Sequence, residues 1–190
     1  MKVFFTVTYQ GLDHFGKYYR MIYEEITRLG YEHLDTESAN MTYEEYVKKM
    51  EKGRTAQVEN YHRNIEFIKK AEVVIIEVST HSLGVGFLVQ KALEMGKPTI
   101  VLYYKDNVPY FLQGIDDDKL IIKSYDEKNI KRVLKNAVSI AREKRDKRFN
   151  FFLSPKLLTY LEGVSERQGV TKSKILRDLI VAHMRENNQG

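Results

Sequence analysis

The sequence predicts an α/β protein: a mainly parallel sheet with flanking helices, then a small C-terminal β-α-α module. Three observations predict this. Continuous apolar, β-branched runs at residues 72–78 and 99–104 are closed by charge or opened by Gly-Lys-Pro, which is how strands buried on both faces read. They alternate with stretches of helical periodicity, the pattern of βαβ units. The last fifty residues change character: residues 141–190 hold eleven Lys/Arg against six Asp/Glu, so the whole net charge of +5 sits there.

The elements follow in order. Residues 2–8 are short, β-branched and aromatic, and read as a strand; 11–16 read as a turn. Residues 17–29 place Tyr18, Ile22, Ile26 and Leu29 on one helical face, and Gly30 ends it. Thr42 with Glu45 three positions later forms a capping box that opens a helical stretch reaching Lys70, with a break at Gly53. Residues 72–78 form a strand and, after a Gly-bearing turn, 85–95 form a helix that Gly96 and Pro98 stop. Residues 99–104 and 120–123 complete the strands, and 127–145 form the last helix of a Rossmann-like domain spanning 1–145. Ligands on such sheets sit beyond the carboxyl ends of the strands. The loops at 8–16, 79–86 and 104–113 are therefore the candidates.

A second module is expected over 146–190. Phe149, Phe151 and Leu153 alternate onto one face of a strand, with Arg148, Asn150 and Phe152 on the other. Ser154-Pro155 opens a helix with Leu157, Leu158, Leu161 and Val164 as its apolar face. After Gly169, Thr171 or Ser173 caps a second helix carrying Ile175, Leu176, Leu179, Ile180 and His183. Roughly 40 residues cannot bury a sufficient core alone. A homodimer or higher homo-oligomer, with the strand paired to its copy, is the expectation.

Composition narrows the function classes. Hydrophobic content of 43% and charge of 30% suit a globular chain, and no cysteine is present, so disulfides, thiolate metal sites and a Cys nucleophile are excluded. No apolar run approaches the ~20 residues of a membrane helix, and the N-terminus lacks a signal peptide's apolar core, so no membrane partner and a cytoplasmic location are expected. His14, His33, His62, His81 and His183 lie apart without ligand spacing, so no metal and no cofactor are expected. Asp116-Asp-Asp118 reads as a solvated turn, and Tyr103, Tyr104, Tyr110 and Phe111 as core or as a base-stacking cluster.

The segments Ala71-Glu-Val-Val-Ile-Ile-Glu-Val-Ser79, Ser82-Leu-Gly-Val-Gly-Phe87 and Gly96-Lys-Pro98 carry a resemblance. Over residues 2–140 the chain resembles the nucleoside 2-deoxyribosyltransferase superfamily, especially its nucleoside 5'-monophosphate N-glycosidase branch. The residues agree physically: Gly84 and Gly86 admit close backbone approach, the helix start near Val85 suits a phosphate, and Ser82 adds a donor. The resemblance puts Thr8, Gln10 and Gly11 in the phosphate- and sugar-binding turn, with Gln10 where a basic residue is usual. It makes Thr8, Gln10, Gly11, Glu77, Ser82, Gly84 and Gly86 the nucleotide-binding set. It also implies a glutamate nucleophile two residues after the second glycine and an acid on the preceding helix. Leu88 and Asn64 hold those positions here. Glu77 survives near its strand end, to bind a sugar hydroxyl or simply to cap the sheet, and any remaining catalysis would use it or another carboxylate.

The tail, over 147–187, resembles the ribbon-helix-helix fold. That likeness implies that Arg148, Asn150 and Phe152 face double-stranded DNA while Thr171, Lys172 and Ser173 hold its backbone. The leading expectation is thus a DNA-binding regulator with a non-catalytic nucleotide-binding sensor domain. The first alternative is an active nucleotide N-glycosidase or 2-deoxyribosyltransferase. The second is an assembly protein in which both modules only oligomerise.

Overall fold

A computed structural model describes residues 1–37, 41–145 and 151–187. The chain divides into two compact units, Met1–Asp146 and Lys147–Gly190.

The first unit is built on five parallel strands: β1 (Lys2–Val7), β2 (Glu32–His33), β3 (Val73–Glu77), β4 (Thr99–Tyr104) and β5 (Leu120–Tyr125). Their order across the sheet is β2-β1-β3-β4-β5. Register runs from Val3 opposite Val73 to Val7 opposite Glu77, and Ile75 sits opposite Ile100. Alternate residues of each strand feed two separate cores. On one face Val3, Phe5, Ile75, Ile100 and Leu102 pack with Ile22 and Ile26 of α1 (Leu12–Arg28) and Leu134 and Val138 of α6 (Ile130–Glu143). On the other, Phe4, Val74, Ile76 and Val101 pack with Ile68 of α3 (Arg54–Lys70) and Val89 and Leu93 of α4 (Leu83–Glu94). Burial on both faces is why β3 is apolar from Val73 to Ile76 rather than alternating; each such side chain contributes roughly 1.5–3 kcal/mol.

The sheet and most helices lie where the periodicity puts them, with three differences. Helix α1 begins at Leu12 and takes in Gly16, so the expected turn at 11–16 shrinks to a 3-10 turn at Tyr9–Gly11. The two-residue strand β2 is too short to show a period. The four-residue helix α5 (Tyr110–Gln113) interrupts an expected loop. The long helical stretch does break at Gly53, into α2 (Tyr43–Met50) and α3. Gly53 has φ +102°, a conformation other residues rarely adopt, and that forces the two helices apart. The Thr42–Glu45 capping box is complete in both directions.

The second unit holds α7 (Pro155–Gln168) and α8 (Lys172–Asn187). Thr171, not Ser173, caps α8: its hydroxyl accepts from the Lys174 amide at 3.2 Å. Of the strand expected at 148–154, Arg148 and Asn150 lie outside the described residues. Residues 151–154 form no strand, because a lone strand has no ladder to satisfy its backbone. Leu161 and Ile175 are the buried apolar residues among those described in this unit, and Phe152 is fully exposed. Among the described residues, no helix is long and apolar enough to cross a membrane, and no cluster of His or acidic side chains could hold a metal.

Candidate functional site

A cleft of about 460 Å³ opens in the first unit at the carboxyl ends of β1 and β3. That volume is in the ordinary range for small-molecule sites. Four pieces of chain wall it. The turn after β1 contributes Thr8, Tyr9 and Gln10. The start of α4 contributes Ser82, Gly84, Val85, Phe87 and Leu88. Facing these stand one side of α2 and one side of α3. Tyr43, Tyr46, Val47 and Met50 follow the i, i+3, i+4, i+7 rule on α2, as do Gln57, Asn60, Tyr61 and Asn64 on α3. Helix α2 has no buried residue, so what its inner side faces is the cleft rather than core.

The turn is fixed from behind. The Gly11 amide donates to the Thr8 carbonyl at 2.9 Å, and the Thr8 hydroxyl donates to the Thr80 carbonyl at 3.0 Å. Gly11 is buried and does not line the cleft. A Cβ there would run into the Tyr19 hydroxyl and come within 2.6 Å of Thr80 Oγ1. Its role is to let the turn close over α1. At the other wall, Ser82 is the N-cap of α4 but makes no capping bond with its side chain. Its hydroxyl and the first amides of a twelve-residue helix are therefore suited to an anion. Gly84 leaves that approach open. Gly86, by contrast, lines a neighbouring apolar groove of about 740 Å³, together with His81, Leu83, Tyr110 and Phe111.

Polar groups on the helical wall are tied to one another. Arg63 donates to Glu37 at 2.5 Å and to Asn60 Oδ1 at 3.2 Å, while its Nε is buried without a partner among the described residues. Arg63, helped by Lys49, holds the Glu37 carboxyl below its usual value. Asn64 turns its amide back onto its own helix, donating to the Asn60 carbonyl at 2.8 Å. Leu88 lies at the cleft wall and packs against the core. The two positions where the resemblance implies carboxylates are thus both in the cleft and both neutral. Glu51, next to Met50 at the end of α2, is the one carboxylate that lines it among the described residues. Asp13 and Asp35 line a separate hollow along α1.

Glu77 requires a correction. It is fully buried and absent from the cleft lining. Its carboxyl accepts from the Ser79 hydroxyl, from the Ser79 amide at 3.2 Å and from the Tyr125 hydroxyl at 2.8 Å. Ser79 Oγ in turn accepts from the Tyr104 amide at 2.7 Å. Burial raises the Glu77 pKa against the opposing pull of those bonds, and raises that of Tyr125 beside it. The residue ties β3 to β4 and β5 and cannot reach a substrate. The aromatic cluster is also redistributed. Tyr104 stacks on Tyr18 at 4.6 Å, and both phenols donate to Glu127, whose pKa falls to about 2. None of Tyr103, Tyr104, Tyr110 and Phe111 lines the cleft. Two ring pairs do: Tyr9 on Tyr46, with centroids 4.3 Å apart and 13° between planes, and Tyr61 with Phe87, 6.0 Å apart and tilted by 40°.

Of the expected nucleotide set, the structure brings Thr8, Gln10, Ser82 and Gly84 together and leaves out Gly11, Glu77 and Gly86. Sequence reasoning missed Tyr43, Tyr46, Glu51, Gln57, Asn60 and Arg63. Their one signal was helical spacing, which reads equally well as an ordinary helix face. In the second unit, Thr171, Lys172 and Ser173 are exposed at the start of α8. The Thr171 hydroxyl is taken by its own helix, and Lys172 pairs with Glu162 at 2.9 Å.

No family model matches the chain. Related proteins do. A Thermofilum pendens protein named as a 2'-deoxynucleoside 5'-phosphate N-hydrolase 1 is 34% identical over 84 residues, 43% of this chain and 58% of that protein. One of the same name from Methanosarcina mazei is 28% identical over 127 residues, 66% of this chain and 76% of that protein. A 5-hydroxymethyl-dUMP N-hydrolase from Branchiostoma floridae is 30% identical over 81 residues, 40% of this chain and 77% of that protein. The chain therefore spans just over half the length of the Thermofilum relative and about three quarters of the other two. The solved structure of Clostridium botulinum CMP N-glycosidase, BcmB, superposes with a TM-score of 0.48 at 16% identity, over 73% of this chain and 99% of that one. The relatives bear the names of nucleotide-cleaving enzymes. They overturn the expectation of a DNA-binding transcription regulator with a non-catalytic sensor domain.

Proposed function

This chain belongs to the nucleotide N-hydrolase family that includes 5-hydroxymethyl-dUMP N-hydrolase, and we propose that its cleft binds a 2'-deoxynucleoside 5'-monophosphate and hydrolyses the bond between sugar and base. The phosphate sits against Ser82 and the first amides of α4, where the helix end favours an anion. The base lies along the tyrosine wall of α2. The sugar then spans the space between Thr8 and Leu88.

One observation carries the chemistry: Glu51 is the sole carboxylate lining the cleft among the described residues. Glu51 takes a proton from a water molecule as that water's oxygen bonds to C1' of the sugar. The C1'–nitrogen bond breaks, its electron pair leaves with the base on the face opposite the water, a solvent water protonates the base nitrogen, and Glu51 gives its proton back to solvent. The products are free base and deoxyribose 5-phosphate. With Leu88 in place of a carboxylate, no covalent glycosyl-enzyme forms, so water rather than a second base accepts the sugar.

The test is base release from the four common deoxynucleoside monophosphates and 5-hydroxymethyl-dUMP, followed by chromatography. Base release is expected, and Glu51→Gln should cut it by roughly 10²–10⁴-fold, the usual contribution of a positioned acid-base group. Nucleotide binding by calorimetry without base release from the wild type would refute hydrolysis.

A second proposal concerns the C-terminal unit, whose described residues bury only Leu161 and Ile175. Phe151, Phe152, Leu157, Leu158, Tyr160, Leu179, Ile180 and Met184 are exposed. Eight exposed apolar side chains around two buried ones are more than an isolated unit of this size leaves open without a partner. The occupant we propose is the same unit of a second copy, in the ribbon-helix-helix manner that the sequence resembles. Light scattering should give a dimer for the wild type and a monomer for Leu179→Glu/Ile180→Glu; a monomeric wild type overturns this.

A further inference from the structure

We propose that Gln57 and Asn60 read the hydrogen-bonding edge of the nucleobase and so set which base the cleft takes; this rests on the nucleotide reading of the same cleft. One half of each amide is already engaged by a neighbour, and the other half is left over. Gln57 Nε2 donates to the Met50 carbonyl at 3.2 Å, a bond only the nitrogen can make, so its amide oxygen is left as an acceptor. Asn60 is held the other way round. Its Oδ1 accepts from Arg63 at 3.2 Å and from Asn64 Nδ2 at 3.4 Å, and since arginine can only donate, that atom must be the oxygen. Its amide nitrogen is left as a donor.

Both residues line the cleft, one helical turn apart on the same side of α3. The wall thus presents an acceptor beside a donor, each with its orientation locked by the bond that the other end of its amide makes. Every common base carries a donor next to an acceptor on its pairing edge. In adenine and cytosine these are the exocyclic amine and a ring nitrogen; in thymine and guanine they are a ring N–H and a carbonyl. The cleft as built accepts all of them by turning the base over. Guanine alone also offers two adjacent donors, the ring N–H and the exocyclic amine.

That difference makes a directed test. In Asn60→Asp the side chain still accepts from Arg63 and Asn64, but its second oxygen faces the cleft as an acceptor instead of a donor. The wall then presents two acceptors, which match guanine alone. Titration calorimetry with dAMP, dCMP, dTMP and dGMP should show the variant losing about ten- to a hundredfold in affinity for the first three. Its affinity for dGMP should hold or rise. Asn60→Ala removes the donor without inverting it, and weakens all four nucleotides alike. That variant keeps the test alive should the aspartate misfold. Wild-type binding with an unchanged ranking in Asn60→Asp, or with unchanged affinities in Asn60→Ala, overturns base reading while leaving the nucleotide cleft standing. A wild type that binds none of the four overturns both.

Discussion

Gly11→Ala isolates the packing that holds the substrate turn. Gly11 has φ −87° and ψ −4°, an ordinary helical conformation, so alanine meets no backbone strain there. Backbone entropy would by itself favour alanine by about 0.5–1 kcal/mol. The opposing effect is steric. The added Cβ collides with the Tyr19 hydroxyl and lies 2.6 Å from Thr80 Oγ1 and 3.2 Å from Thr80 Cβ. Tyr19 is only 4% exposed, and the Thr80 carbonyl holds the Thr8 hydroxyl, so neither neighbour moves cheaply. Overpacking of this kind costs about 1–3 kcal/mol. The net loss is then about 1–2 kcal/mol, which for a unit of this size lowers the Tm by roughly 3–8 °C. Differential scanning fluorimetry reads it directly. Tyr19→Phe removes the nearest obstacle, so Gly11→Ala/Tyr19→Phe should recover at least about 0.5 kcal/mol relative to additivity. A Gly11→Ala melt within about 1 °C of wild type, or strict additivity in the double variant, would show that the turn is not braced against α1.

Three other outcomes are expected. Glu77 has its folded pKa raised above the ordinary 4.5 by burial, so the folded state binds its proton more tightly than the unfolded state does. Relative to Glu77→Gln, wild-type stability should be flat in acid and fall as pH climbs from about the unfolded value through the folded one; denaturant midpoints from pH 4 to 8 check this, and a constant gap contradicts it. Tyr46→Ala removes the ring stacked on Tyr9 and should weaken nucleotide binding about tenfold through lost stacking, measured as Kd, with less effect on the bond-breaking step. Leu88→Glu places a carboxylate at the cleft wall and should let transfer of deoxyribose between bases appear beside hydrolysis, detected as a new nucleotide when a second free base is supplied.

The sheet was legible because burial on two faces leaves unmixed apolar runs, and Val73–Glu77 cannot be read otherwise. The helix break at Gly53 and the Thr42 cap were legible because each depends on a local rule. What escaped depends on tertiary placement. Glu77 looks like a strand-end carboxylate in sequence, yet the register that sets it opposite Val7 and Leu102 puts it among Ser79, Tyr125 and Tyr19, away from the cleft. Gly86 and Gly84 are two residues apart, and the two helical steps between them, about 200° in all, send them to different hollows. Tyr43 and Tyr46 share the spacing of a core face; only the placement of α2 over the strand ends turns that face into a binding wall. Lys172 contributes to a positive tail in composition, while its ion pair with Glu162 is invisible until α7 and α8 are packed.

The absence of a carboxylate at Leu88 bears on the kind of displacement the cleft can support. A covalent route needs a nucleophilic carboxylate near C1' and a second group to protonate the base, two carboxyls about 5–5.5 Å apart in the glycosidase pattern. Here Leu88 and Asn64 are neutral and, among the described residues, Glu51 is the one carboxylate in the lining. A single carboxylate can still serve a one-step displacement as the base that takes the proton from the attacking water, with solvent protonating the departing nitrogen on the opposite face. The oxocarbenium-like charge on the sugar is then met by the phosphate carried on the substrate itself and by the acceptor atoms of the wall, not by an enzyme nucleophile. That route demands that the base be held still while the bond to it lengthens. Locked amides on Gln57 and Asn60 and the paired rings of Tyr9 and Tyr46 fit that demand: they are groups whose orientation is fixed before substrate arrives, so little ordering remains to be done during the reaction.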